Sequence, residues 1–184
     1  MNHSILFTGH MIDEIDRKVS RFPANKEMAV KAELRKQLVE EKESTKNLLT
    51  GIAGGACGGD ILFHEICEEI GISTEIYLAL PVTEYQKRSV SFAGKLWDVR
   101  FNSLIKKSPL HILPVEKRYN TTNNIWAVTN LWMLDHALEV EGKNMTLIAL
   151  WDGKGGDGNG GTEHMINTAK DKGAKIKIIN INKI

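Results

Sequence analysis

Cysteine, surplus charge and long apolar runs are all scarce in this sequence, and each shortage removes a class of protein. Two cysteines, Cys57 and Cys67, in 184 residues form neither a disulfide framework nor a metal-ligand spacing. A reducing, cytoplasmic setting is therefore the expectation. The 24 basic residues are balanced by 23 acidic ones, leaving a net charge of +1. That balance gives no electrostatic case for nucleic acid or for a membrane surface as partner. No apolar run approaches the roughly 20 residues that a membrane-crossing helix needs. The first residues, Met1-Asn2-His3-Ser4-Ile5-Leu6-Phe7, lack the layout of a secretory signal. Repeats, low-complexity tracts and linkers are missing as well, and the length fits one domain spanning residues 1–184.

Glycine, by contrast, is concentrated. Eleven of the sixteen glycines fall in two stretches, Gly51 to Gly59 and Gly153 to Gly161. Each stretch follows a short apolar run and precedes a helical pattern. Leu48 to Ala53 and Met145 to Leu150 read as buried strands. Further strands are read at Ser4 to Thr8, Glu75 to Leu80, His111 to Leu113 and Ala174 to Ile181. Helices are read from Asn25 to about Lys46, from the first glycine stretch to Gly71, from Lys95 to Lys107, from Ile125 to Val140 and from about Thr162. Alternating strands and helices predict a doubly wound, Rossmann-like α/β domain with a mainly parallel sheet of about six strands. In such a fold the loops that leave the strands share one edge, where ligands bind.

Several side chains fall on that edge. Gly9 and His10 leave the first strand, and His10 reads either as a ligand-facing group or as a local cap. Arg21 can pair with a phosphate. Gly54, Gly55, Ala56, Cys57, Gly58 and Asp60 form the second exit, and Cys57 reads either as a thiol whose pKa a helix start lowers or, more simply, as a small residue that fits. Glu84 and Arg88 follow Pro81, with Arg88 read at a helix start, which favours an anion-binding role. Asp152, Gly160, Gly161 and Thr162 form the last exit, and the amides of a helix start suit an anion. Asp152, Asp157 and Asn159 only loosely resemble a Ca²⁺ loop, without the spacing or terminal glutamate of one. No metal and no cofactor is therefore expected. The helix from Ile125 to Val140 is apolar at eleven of sixteen positions, so it is either buried or the face of a homo-oligomer, and the latter is the expectation. The acidic run Glu40 to Glu43 reads as a solvated face.

The stretch Gly54-Gly55-Ala56-Cys57-Gly58-Gly59-Asp60 with His64 resembles the signature of the DNA-processing protein A fold, of the form GGA-x-G-x-D-x-x-x-H. That fold belongs to the SLOG superfamily, which also includes the "lonely guy" phosphoribohydrolases. Gly158-Asn159-Gly160-Gly161-Thr162-Glu163-His164-Met165 is similar to the GG-x-GT-x-x-E motif of those enzymes, with Met165 at the place of the catalytic glutamate. The resemblance implies a stand-alone, bacterial-type SLOG domain that binds a nucleotide or nucleotide-derived small molecule as a sensor or sequestering unit. The alternative is an enzyme that cleaves an N-glycosidic bond, like a phosphoribohydrolase or a nucleoside deoxyribosyltransferase. Glu163 or Asp157 would then stabilise the ribosyl cation, and His164 or His10 would move the proton.

Overall fold

The computed structural model describes residues 2–119, 124–141, 145–155 and 161–184. Six strands form one sheet in the order β4-β3-β2-β1-β5-β6. They are β1 (Asn2–Gly9), β2 (Leu48–Ala53), β3 (Ser73–Leu78), β4 (Leu110–Ile112), β5 (Met145–Trp151) and β6 (Lys175–Asn180). Every neighbouring pair is parallel. The helices are α1 (Glu27–Ser44), α2 (Gly59–Glu69), α3 (Val82–Ser89), α4 (Lys95–Lys107), α5 (Val115–Tyr119), α6 (Ile125–Glu141) and α7 (Thr162–Asp171). This is the doubly wound, Rossmann-like α/β architecture.

Successive strand residues point to opposite faces, and the core follows that rule. Ile5 and Phe7 of β1, with Ile148 and Leu150 of β5, join the core beneath α1, α2 and α4. Leu6, Leu147 and Ala149 join a second core beneath α6 and α7. The buried, continuous apolar strands predicted from the sequence are what a two-sided sheet requires.

The chain builds outward from β1 through β2 and β3 to β4, then returns to place β5 on the other side of β1. The direction of winding therefore reverses between β1 and β5. Gly9 lies opposite Leu150, so both strands end at the same level and their exit loops diverge. Doubly wound sheets open a crevice at such a point.

Four sequence readings change. The helix after Pro81 begins at once, so Arg88 lies in the last turn of α3 and not at its start. Pro81 at the N-cap with Glu84 in the first turn is a start signal that places this helix earlier. The short α5 was not expected. Glu41 is 2% exposed, not solvated, and accepts hydrogen bonds from Thr146, Lys175 and Lys177. Lys175 and Lys177 of the edge strand β6 are thus tied to α1. Finally, α6 packs across β1, β2, β3 and β5, with Ala127, Met133, Leu134 and Ala137 buried. Its apolar content is spent largely inside the domain.

Candidate functional site

A cleft of about 420 Å³ opens over the carboxyl ends of the strands where the winding reverses. This falls within the roughly 300–1,000 Å³ common for small-molecule sites. Its floor comes from Thr8 and Gly9 of β1 and from Gly54, Ala56 and Asp60 after β2. One wall comes from Tyr85, Arg88 and Ser89 of α3. Opposite stand Trp126, Thr129 and Met133 of α6, with Trp151, Gly161 and Thr162 closing the end.

The loop Gly54 to Gly59 is tightly packed. Gly55 N–H donates to the Tyr85 hydroxyl at 3.1 Å, and Ala56 N–H to Asp60 Oδ2 at 3.2 Å. Cys57 N–H donates to the Ser89 carbonyl at 2.9 Å, and Gly59 N–H to the His10 carbonyl at 3.2 Å. With these amides engaged inside the protein, the loop is not the amide cradle expected from its composition. Its glycines answer to packing. A Cβ on Gly58 would lie 2.6 Å from the Ile12 nitrogen, and φ there is +97°. A Cβ on Gly54 would lie 2.5 Å from Asp60 Oδ2. His64, the last residue of the signature motif, is a strut: its Nε2–H donates to the Gly54 carbonyl at 2.9 Å. Burial pushes its pKa down to about 4, so it stays neutral.

The segment between β1 and α1 forms a strap beside the cleft. Asp13 organises it, accepting from Ser20 Oγ at 2.6 Å and from the amides of Arg21 and Phe22 at 3.0 and 3.1 Å. The strap is pinned to the glycine loop by the Met11–Gly58 bridge and by Ile12 N–H donating to the Cys57 carbonyl. Arg17 and Arg21 reach from the strap to the cleft. Arg17 lies 3.5 Å from Asp13 and donates to the Val19 carbonyl. Arg88 lines the cleft from α3 and pairs at 2.8 Å with Glu84 in an exposed contact. Exposed pairs of this kind hold their partners weakly, by about 0–1 kcal/mol, so the guanidinium can exchange to a stronger anion.

His10 and Asp152 join β1 to β5 across the switch point. The Asp152 N–H donates to His10 Nε2 at 3.2 Å, and the Asp152 carboxylate lies 3.3 Å from the same nitrogen. Burial holds His10 below its ordinary value, against the pull of Asp152 and with help from Arg21 and Arg17. For Asp152, burial pushes upward, but the Lys154 amide, His10 and Arg21 outweigh it and hold the carboxyl low.

Asp60 stands apart from this charged group. It is half-buried by area, yet enclosed by protein on the cleft floor, and this desolvation pushes its pKa up to about 7, opposed only by the Ala56 amide. Burial also pushes the Cys57 thiol up to about 12, with Asp60 adding to the effect. Desolvation thus overrides any helix-start activation of Cys57, which sits in the core as a small residue that fits.

Of the predicted residues, Gly9, His10, Arg21, Gly54, Ala56, Asp60, Arg88, Gly161 and Thr162 line the one cleft. Gly55, Cys57, Gly58, Glu84, Asp152, Glu163 and His164 are not among its lining residues. Asp157, Asn159 and Gly160 lie outside the described residues. Arg17, Trp126 and Trp151 line the cleft but were missed. For Arg17 a signal existed, since it lies four residues after Asp13 in the same strand exit as His10. The tryptophans gave none, because their position depends on how α6 and β5 pack. Among the described residues, no three His, Cys, Asp or Glu side chains form a metal-holding group, and no helix is long and apolar enough to cross a membrane. No family model matches the chain, and neither a curated protein nor a solved structure matches it.

Proposed function

We propose that this chain binds a nucleotide or nucleotide-derived small molecule in the cleft at the β1–β5 switch point, as a cytoplasmic sensor or sequestering domain of SLOG type. The observation that carries this reading is that Arg17, Arg21 and Arg88 share one cleft with the aromatic side chains of Tyr85, Trp126 and Trp151. Guanidinium groups pair with phosphate in a planar, two-point geometry. Aromatic faces accept a base by stacking. Gly161 and Thr162 bring the start of α7 to the same cleft, where the positive end of the helix dipole favours an anion.

Binding fits better than bond cleavage. Of the groups assigned to cleavage, His10 lines the cleft, but Glu163 and His164 do not, and Asp157 lies outside the described residues. The test is a nucleotide panel with two readouts, thermal shift and mass spectrometry of the bound and free fractions. A nucleotide at about 100 times its Kd adds about 2.7 kcal/mol, which for a chain of this size raises Tm by about 5–10 °C. The bound fraction should return intact ligand, and Arg17→Gln with Arg21→Gln should abolish most of the shift. A shift unchanged in that double variant removes the arginines from the site. Free base and sugar phosphate in the unbound fraction would replace the reading with an N-glycosidase.

A further inference from the structure

The two ends of the cleft differ in chemistry. At the β1–β5 end, the charges of Arg17 and Arg21 act on His10, and that of Arg21 on Asp152. At the other end, Asp60 shares the floor with the Tyr85 hydroxyl, each within about 3.2 Å of the position a Gly54 Cβ would take. No guanidinium influences Asp60 there, and among the described residues no cation forms an ion pair with it. Its Oδ2 accepts from one neutral donor, the Ala56 amide. Tyr85 meets Trp126 edge-on beside it, with ring centroids 5.8 Å apart and planes at 63°. A carboxyl enclosed in this way, with a single amide for company, favours its protonated form.

Resting on the reading of the cleft as a nucleotide site, we infer that the Asp60 carboxyl reads the base. The base it takes carries an amino group beside a ring-nitrogen acceptor, as adenine and cytosine do. A neutral carboxyl presents an O–H donor and a carbonyl acceptor side by side. An amino group next to a bare ring nitrogen presents the complementary pair, N–H and lone pair, in one plane. Guanine and uracil carry a protonated ring nitrogen at that place, so the acid O–H would meet an N–H. Trp126, on the cleft lining, gives a planar base an apolar wall. The phosphate then falls toward Arg17 and Arg21, which line the cleft from the strap.

The pairing has a pH signature. It needs the protonated acid, whose pKa burial has raised to about 7. Affinity is full below that value and falls as pH rises through it, and binding takes up a proton. The other groups that face Asp60 are silent above neutrality. Cys57 from the same loop is raised to about 12, and Tyr85 from α3 is raised higher still. His64 on α2 and His10 beyond β1 are held low and remain neutral.

The experiment is titration calorimetry between about pH 7 and 9, with the monophosphates of adenosine, cytidine, guanosine and uridine and with ribose 5-phosphate. The phosphate's own second ionisation, near pH 6, is complete in this range, and ribose 5-phosphate controls for what remains. The expected result is that adenosine or cytidine monophosphate binds at least about tenfold more tightly than the other two, a difference of about 1.4 kcal/mol. Its affinity should fall by up to about tenfold per pH unit, with proton uptake. Asp60→Asn, which keeps a donor beside an acceptor, should retain that ligand within about threefold and lose the pH dependence. Asp60→Leu should lose it, and neither variant should alter ribose 5-phosphate binding. Circular dichroism checks that the variants fold; if either does not, the wild-type base preference and pH profile decide alone. Equal affinity for all four bases overturns the inference and leaves the nucleotide site standing. So does an Asp60→Asn loss that extends to ribose 5-phosphate, which would place Asp60 on the sugar. Failure of the wild type to bind any of the five removes the nucleotide reading itself.

Discussion

A buried carboxylate sits at the end of the sheet opposite the cleft. Glu41 joins α1 to β5 and β6 through Thr146 at 2.9 Å, Lys175 at 2.7 Å and Lys177 at 2.8 Å. Burial alone would push its pKa up, but hydrogen bonds from Lys175, Lys177 and Thr146 prevail and hold it down. The folded pKa is thus below the unfolded one. Its stabilisation is present above the unfolded value and is lost as pH falls through the folded value. Removing the carboxylate leaves Lys177 with Glu40 as its remaining partner, while Lys175 can reach water. Glu41→Ala should therefore cost about 2 kcal/mol, less than the roughly 3–5 kcal/mol of a fully buried broken pair. Urea unfolding at pH 7 would show the loss, and repeating it near pH 3 should shrink the gap between variant and wild type. An equal gap at both pH values would mean that Glu41 contributes by packing and not by charge.

Among the elements, the glycine loop and the strap form one device. Gly58 takes a left-handed backbone conformation because the strap presses against it, with the Ile12 nitrogen 2.6 Å from the place a Cβ would occupy. Gly58→Ala should cost about 3 kcal/mol, from handedness and from the backbone displacement it forces. For this chain length that lowers Tm by about 6–12 °C, readable by circular dichroism. A change under about 2 °C would mean that the strap moves aside freely. These elements also show how far the sequence could be read. The apolar runs that became β1, β2 and β5 were legible because a strand covered on both faces must be apolar throughout. The glycine loops were legible as strand exits but not in purpose. Whether glycine serves a ligand or a close backbone contact depends on a neighbour 46 residues away, Ile12 for Gly58. The charge of Glu40 to Glu43 misled for the same reason, because only the folded sheet brings Lys175 and Lys177 to Glu41. Arg88 was misplaced because a proline that starts a helix was read as ending a strand and no more.

For the molecule as a whole, the tryptophan-rich α6 decides how the proposed homo-oligomer can form. Trp132 stands edge-on to Tyr77 with ring centroids 4.8 Å apart, and α6 packs on four strands of the sheet. Trp132 is partly buried against the core on this face of the sheet. Trp132→Ala should cost about 1–3 kcal/mol of stability and leave the mass by light scattering unchanged. A reduced mass with unaltered stability would place the ring in a subunit interface. The strap offers the converse case, since its outer side touches nothing that the fold depends on. Ile15 is 99% exposed and stands two residues from Arg17, on a segment that Asp13 closes into a loop. An environment-sensitive dye attached there would report events in the cleft without entering it, which makes the strap a ready-made handle for an optical biosensor.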